Sequence, residues 1–183
     1  MIGIALFVVA SLAILRLSWR SLHNLRAHGF YRFFAFELLA GLIAMNLSIW
    51  FRDPWSARQI ASYIFGAISI SLAVEGFRLL RMVGHPSPKV AQSTNLAFEN
   101  TTTLVTAGTY RFVRHPLYSS LLALAICAWL KAPRTAMNIA IALATAVFLL
   151  ATALAEEKEN LARFGVEYAE YAKRTRRFVP FLF

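Results

Sequence analysis

The run AMNIAIALATAVFLLATALA, residues 136–155, decides the fold. It is twenty residues long and carries no charged side chain. A helix of about 20 apolar residues is long enough to cross the hydrocarbon core of a bilayer. Apolar runs of similar length occupy Phe33–Phe51 and Ile60–Phe77, and shorter ones occupy Met1–Leu15 and Leu117–Leu130. The sequence therefore predicts five transmembrane helices, with Met1–Leu15 interpreted as a retained helix rather than a signal peptide.

The composition of the whole chain supports this interpretation. Of 183 residues, 58% are hydrophobic and 15% are charged, and the mean hydropathy is +0.56. Soluble domains are usually about 45–50% apolar and about 25% charged. The apolar excess is too large for one buried core, and it also excludes a disordered chain. We expect an all-α, polytopic integral membrane bundle with a cytoplasmic C-terminal helix.

The basic residues predict the orientation of the bundle. The net charge is +10, with 19 Lys and Arg. Four of these lie in residues 16–32, five in 78–114 and six in 156–183. The two loops on the other side, between the second and third spans and between the fourth and fifth spans, hold the remaining four. The positive-inside rule therefore places the N-terminus outside and the C-terminus in the cytoplasm, and we expect the inner membrane of a prokaryote. The positive charge is thus a topology signal, and no nucleic-acid partner is expected.

Two polar clusters could carry chemistry, and the first lies where the fourth span begins. It reads GTYRFVRHPLY from Gly108 to Tyr118, with Pro116 suited to the first position of a helix. A helix N-terminus offers free N–H groups to an anion, although arginine and tyrosine are also common as anchors at the membrane interface.

The second cluster is the pair Glu156-Glu157 at the end of the fifth span. Since a short loop joins the last two spans, we expect an antiparallel hairpin that brings this pair to the level of His115. Acidic groups at a helix C-terminus oppose the helix dipole, which implies a cationic partner or ligand. The simpler alternative is an ion pair with Arg111 or Arg114.

An amphipathic segment follows the second cluster. Leu161, Phe164, Tyr168 and Tyr171 recur at helical spacing, which predicts a helix against the bundle or the membrane surface. Gly165 lies inside this segment and weakens its continuity.

These motifs, in this order and ending with RFVP at 177–180, resemble the isoprenylcysteine carboxyl methyltransferase family, which broadly includes phospholipid methyltransferases. The resemblance covers about residues 104–183, so we divide the chain into an N-terminal transmembrane region, 1–103, and a cofactor-binding region, 104–183. It implies S-adenosylmethionine as cofactor and a lipophilic or small membrane-accessible methyl acceptor. The implied cofactor-binding residues are Gly108, Tyr110, Arg114, His115, Pro116, Tyr118, Glu156 and Glu157. No general base is implied.

Two positions depart from the family pattern. Ser120 replaces a glycine that many members carry, and Ala151-Thr152-Ala153 stands where the eukaryotic protein-directed enzymes commonly have an arginine for substrate handling. The second departure argues against a prenylcysteine carboxylate as the acceptor.

Three further residues are candidate substrate contacts: Glu75, Glu99 and Arg111. The alternatives are an ion pair of Glu75 with Arg78 and a solvated loop or a lid at Glu99. A single cysteine and four scattered histidines make a metal site unexpected. Two other functions stay open: an NADPH-dependent membrane reductase of the sterol-reductase type and a non-enzymatic membrane bundle.

Overall fold

Six α-helices form the described part of the chain, residues 2–90 and 95–180, in a computed structural model. They are α1 Ile2–Ser18, α2 His28–Asn46, α3 Ala57–Met82, α4 Pro116–Trp129, α5 Ala136–Phe164 and α6 Val166–Arg174. Within these residues there is no β-strand, only isolated bridges. The all-α prediction is confirmed for this part of the chain, while Met1 and residues 91–94 and 181–183 of the predicted regions lie outside it.

Three helices are long and apolar enough to span a membrane, as expected for an integral membrane protein. They are α2 with its following 3-10 turn (His28–Ile49), α3 and α5. These correspond to the three predicted spans of full length. The apolar helices α1 and α4 have 17 and 14 residues, less than the roughly 20 that a perpendicular span requires. The count of five spans therefore stays a prediction.

Two helix boundaries differ from the prediction. Helix α2 begins at His28 instead of Phe33, so Arg32 is a helical residue and is almost completely buried. Helix α5 continues nine residues beyond Ala155, because its extension is rich in Ala, Leu, Glu and Lys, which favour helix. Glu156 and Glu157 therefore lie inside a helix, and the helix-dipole argument for them does not apply.

Gly165 separates α5 from α6. Its backbone angles, φ 56° and ψ −128°, are not helical, and few residues other than glycine adopt them. The predicted amphipathic segment is therefore two helices. The second of them, α6, has nine residues and buries Tyr168 and Tyr171. Its position relative to the membrane stays a prediction.

The helices pack as two main pairs. Helix α5 packs most extensively on α2 and α4 on α3, while α4 and α5 also contact each other, as the hairpin prediction requires. We call the end where α2 and α4 begin and α3 and α5 finish the site end, and the opposite end the far end. The three basic segments of the sequence all meet the bundle at the site end.

The far end is held by buried polar side chains. Asn138 Nδ2 donates to Asn46 Oδ1 at 3.0 Å, and Asn46 Nδ2 donates to the Ala128 carbonyl at 3.2 Å. The ammonium of Lys131 donates to Gln59 Oε1 at 3.1 Å. Its nitrogen also lies 4.8 Å and 4.7 Å from the ring centres of Trp50 and Tyr63. These contacts connect four helices about 30 Å from the site end.

Candidate functional site

The segment before α4 is shaped by Gly108. Its φ of +56° favours glycine, and it opens a 3-10 turn, Gly108–Arg111. A β-carbon here would stand 2.6 Å from Leu79 Cδ1 and 2.7 Å from Glu75 Oε1. The same Glu75 oxygen accepts the Thr109 N–H at 3.2 Å. Gly108 therefore lets the chain approach α3 closely, which places the following tyrosine, Tyr110, against the bundle.

The C-terminal tail runs beside the turn that leads into α4. Arg176 N–H donates to the Phe112 carbonyl at 3.1 Å, and Arg114 N–H donates to the Arg176 carbonyl at 2.7 Å. His115 N–H donates to the Arg177 carbonyl at 3.2 Å. Because these bonds involve the backbone on both sides, the tail fixes the path of Arg114 and His115. Pro116 then occupies the first turn of α4, as predicted.

Glu157 joins the tail to α4. Its Oε1 accepts from Arg114 Nε at 2.9 Å and from Arg177 Nε at 3.1 Å, and its Oε2 accepts from Arg177 Nη2 at 3.1 Å. The simpler alternative, an ion pair with Arg114, is thus confirmed for this carboxylate. Two guanidinium groups already satisfy it, so Glu157 acts as an anchor in the structure.

Glu156 has a different environment. The Tyr118 hydroxyl donates to Glu156 Oε2. Among the ion pairs in residues 2–90 and 95–180, Glu156 enters one, with His115 Nδ1 at 3.9 Å. The His115 ring stacks on Tyr118, with ring centres 5.4 Å apart. In the described residues, Glu156 therefore has no cation within hydrogen-bonding distance, in contrast to Glu157.

A cavity of about 630 Å³ opens beside Glu156. Its polar lining comes from the segment before α4 and from α4, α5 and α6: Tyr110, Arg114, His115, Tyr118, Glu156, Asn160, Tyr168 and Tyr171. Its other residues are mostly apolar: Leu80, Phe98, Glu99, Thr101, Leu104, Val105, Leu117 and Phe164. Burial raises the pKa of Tyr110, Tyr168 and Tyr171 above the ordinary value. These phenols stay neutral at physiological pH.

The segment of residues 95–107, which we call the strap, forms one wall of the cavity. Glu99 fixes it, because Arg32 Nη1 donates to Oε1, while His28 Nε2 lies 3.3 Å from Oε2 and Leu96 N–H donates to Oε2 at 2.7 Å. Burial alone raises the pKa of Glu99, but His28 and Arg32 hold it below the ordinary value. Arg163 donates to the Glu99 and Thr101 carbonyls.

The sequence profile of the isoprenylcysteine carboxyl methyltransferase (ICMT) family matches residues 68–163, slightly more than half of the chain and most of the cavity lining. The chain belongs to this family. The resemblance inferred from the motifs is therefore confirmed. No solved structure matches the chain.

Two curated relatives come from Bradyrhizobium diazoefficiens. Methanethiol S-methyltransferase 2 is 27% identical over 157 residues, which cover 81% of this chain and 59% of that protein. Methanethiol S-methyltransferase 1 is 31% identical over 71 residues, which cover 39% of this chain and 24% of that protein. The chain thus spans less than two thirds of the length of either relative.

The structure of this ICMT-family chain brings together five of the eight predicted cofactor-binding residues. The five that line the cavity are Tyr110, Arg114, His115, Tyr118 and Glu156. Gly108, Pro116 and Glu157 lie outside the lining. Gly108 provides close approach to Leu79 and Glu75 instead of to a ligand, Pro116 begins a helix, and Glu157 is held by arginines.

The three candidate substrate residues fall in different places. Glu99 lines the cavity, and its side chain is only 12% exposed, so the solvated-loop interpretation is wrong. Glu75 does not line the cavity, and its predicted ion pair with Arg78 does not form in the described residues. Glu75 Oε1 accepts from Thr109 N–H instead, and Arg78 Nε donates to Met82 Sδ at 3.4 Å. Arg111 is exposed, with its guanidinium 5.9 Å from the Phe112 ring centre.

Sequence reasoning missed His28, Arg32 and Asn160. A His and an Arg four residues apart share one face of a helix, which is an unusual face to bury at the start of an apolar span. From the sequence alone, Arg32 contributes only to the charge pattern that predicts the topology. Asn160 lies one turn after Glu156 and therefore on the same face of α5. In the described residues, no three His, Cys, Asp or Glu side chains are grouped to hold a metal ion.

Proposed function

We propose that this chain is an integral membrane methyltransferase that takes its methyl group from S-adenosylmethionine and transfers it to a small membrane-accessible thiol. The observation that carries the proposal is the contrast between two adjacent carboxylates. Two arginines satisfy Glu157, whereas Glu156 faces the cavity with a tyrosine hydroxyl and a histidine 3.9 Å away. A partly exposed carboxylate at the edge of a cavity, with no cation hydrogen-bonded to it in the described residues, suits a cationic ligand.

The residues fit the cofactor. Glu156 would hold the amino group of the cofactor, which carries a positive charge. Arg114, in the same wall of the cavity, would pair with the carboxylate of the cofactor. Tyr110, His115 and Tyr118 would provide flat surfaces and hydrogen-bond donors for the remaining groups.

Bound S-adenosylmethionine would supply a methyl group on a positively charged sulfur. Transfer would join this methyl to the acceptor sulfur and break the donor carbon–sulfur bond, with the bonding electrons left on the donor sulfur and the thiol proton released to water. The chain contributes mainly by orienting the two reactants, since the chemistry needs an in-line arrangement. The tyrosines are neutral, so they add no charge that would interact with the donor sulfur as its positive charge is lost.

The acceptor class follows from two supports. Both relatives named above are methanethiol S-methyltransferases. In addition, Thr152 donates to the Phe148 carbonyl of its own helix, and no cation stands at 151–153 to hold a substrate carboxylate. A small neutral thiol therefore suits the cavity better than a prenylcysteine carboxylate.

The proposal keeps the predicted topology, with the N-terminus outside and the site end on the cytoplasmic side of a prokaryotic inner membrane. It also keeps the division into residues 1–103 and 104–183. Both regions would contribute to the cavity, the first through Leu80 and the strap residues Phe98 and Glu99, the second through the polar wall.

Calorimetry with the purified chain in detergent tests the proposal. We expect S-adenosylhomocysteine to bind, and Glu156→Gln to weaken binding about 10- to 100-fold, the value of one charge-assisted hydrogen bond. Lys173→Ala, which removes an exposed ion pair with Glu170, is the matched control and should leave affinity unchanged. Folded protein that binds NADPH but not S-adenosylhomocysteine would overturn the proposal and favour the reductase alternative.

A further inference from the structure

A second, smaller space lies behind Glu99. It has a volume of about 260 Å³ and is lined by His28, Asn95, Glu99, Glu156, Glu159, Asn160 and Arg163. Three of these residues, Glu99, Glu156 and Asn160, also line the main cavity. Glu99 therefore stands between a cavity with an apolar wall and a side pocket whose lining is entirely polar.

Glu99 is held in this position from two helices. Its two carboxylate oxygens contact Arg32 and His28 of α2, and its own carbonyl accepts from Arg163 of α5. His28 is fixed in turn, because its ring Nδ1 lies 2.7 Å from Glu159 Oε2 and its backbone N–H donates to Glu159 Oε1 at 2.9 Å. His28 and Arg32 are each 1% exposed.

The bonds of Glu99 argue against a ligand contact. Both oxygens already receive hydrogen bonds from the protein, unlike those of Glu156. Moving Glu99 toward a ligand would leave the Arg32 charge buried without its partner, which is strongly unfavourable. A carboxylate that is fixed in this way acts as a rigid wall.

We propose that Glu99, held by His28 and Arg32, closes the cavity against the polar side pocket and so restricts the methyl acceptor to small apolar thiols. This inference rests on the proposed methyl transfer. Without the Glu99 side chain the two spaces join, and the space that the side chain occupied becomes continuous with the polar-lined pocket. Acceptors with hydroxyl groups would then gain most, because only they can bond to the lining of the added space.

The test compares methanethiol with thioglycerol, a thiol that carries two hydroxyls. In Glu99→Ala we expect the ratio of kcat/KM for thioglycerol to that for methanethiol to rise about tenfold. Both rates are measured at saturating S-adenosylmethionine, so that any weakening of cofactor binding affects the two acceptors alike. Glu99→Asp, which keeps the charge but is one methylene shorter, should shift the ratio in the same direction if the alanine variant does not fold. Glu99→Gln keeps the shape and should retain the wild-type ratio.

Asn138→Ala is the matched control for lost stability, because it removes buried hydrogen bonds at the far end only. A ratio that is unchanged in both Glu99→Ala and Glu99→Asp, or that rises equally in Asn138→Ala, would overturn the inference.

Binding without turnover separates this inference from the proposed function. Saturation-transfer NMR compares dimethyl sulfide with 3-(methylthio)-1,2-propanediol, the corresponding methylated products. A rise in relative affinity for the diol in Glu99→Ala supports the closing role of Glu99 even in a protein that shows no methyl transfer. An unchanged relative affinity refutes that role, whether or not the protein methylates thiols.

Discussion

Gly108→Ala tests how closely the cavity segment must approach α3. The substitution adds one β-carbon at a residue with φ +56°. That carbon would stand 2.6 Å from Leu79 Cδ1 and 2.7 Å from Glu75 Oε1, both well inside ordinary contact. The chain must therefore move away from α3, or both side chains must shift.

The magnitude has two parts. A non-glycine residue in a rarely populated backbone region costs roughly 1–3 kcal/mol. Overpacking at a close contact adds about 1–3 kcal/mol. Gly165→Ala is a matched control, because Gly165 has the same φ of 56° but no atom within 4 Å of the added carbon. We therefore expect Gly108→Ala to be less stable than Gly165→Ala by about 1–3 kcal/mol.

Reversible unfolding in mixed micelles measures the free energy of unfolding of both variants. A second background, Leu79→Ala, removes the atom closest to the added carbon. In a double-mutant cycle, Gly108→Ala should cost less in that background, with a coupling of at least about 0.5 kcal/mol. Equal stability of the two glycine variants, together with zero coupling to Leu79, would refute the argument that close approach requires this glycine.

Three further predictions concern buried charges. Glu157→Gln should lower the free energy of unfolding by about 3 kcal/mol in the same assay, since two guanidinium groups lose their carboxylate; a loss below about 1 kcal/mol would contradict its anchoring role. Ionised Glu99 should contribute its full stabilisation above its ordinary pKa of 4.5, and this stabilisation should be lost as the pH falls through the lower pKa of the folded protein. In Glu99→Gln, the free energy of unfolding should therefore depend less on pH in the acid range. Lys131→Met should lower the free energy of unfolding by about 2 kcal/mol, because the contacts of the ammonium with Trp50 and Tyr63 are lost. Calorimetry should show an unchanged affinity for S-adenosylhomocysteine. An altered affinity would show that the far end is coupled to the site.

The local features of the site were predictable because they depend on neighbours in the chain. Pro116 begins α4 because a helix tolerates proline in its first turn. The apolar runs became helices because a long uncharged stretch has no other way to satisfy its backbone in lipid. The order of the motifs along the chain is sufficient to indicate the ICMT family.

The different environments of Glu156 and Glu157 could not be predicted from their order. Adjacent residues on a helix point about 100° apart, so one faces the cavity and the other faces the arginines. Which one does so depends on how α5 is rotated against α4 and the tail. That rotation results from packing along the whole length of the helix.

The sequence by itself thus determined three things: the apolar helices, the clustering of basic residues at one end of the bundle, and the motif residues that meet at that end. Only the tertiary structure showed that Glu99 is buried against His28 and Arg32, which are 71 and 67 residues away in the chain. The physical reason is that helical periodicity and turn preferences act over a few residues, whereas a buried ion pair forms wherever packing excludes water between groups that are distant in sequence.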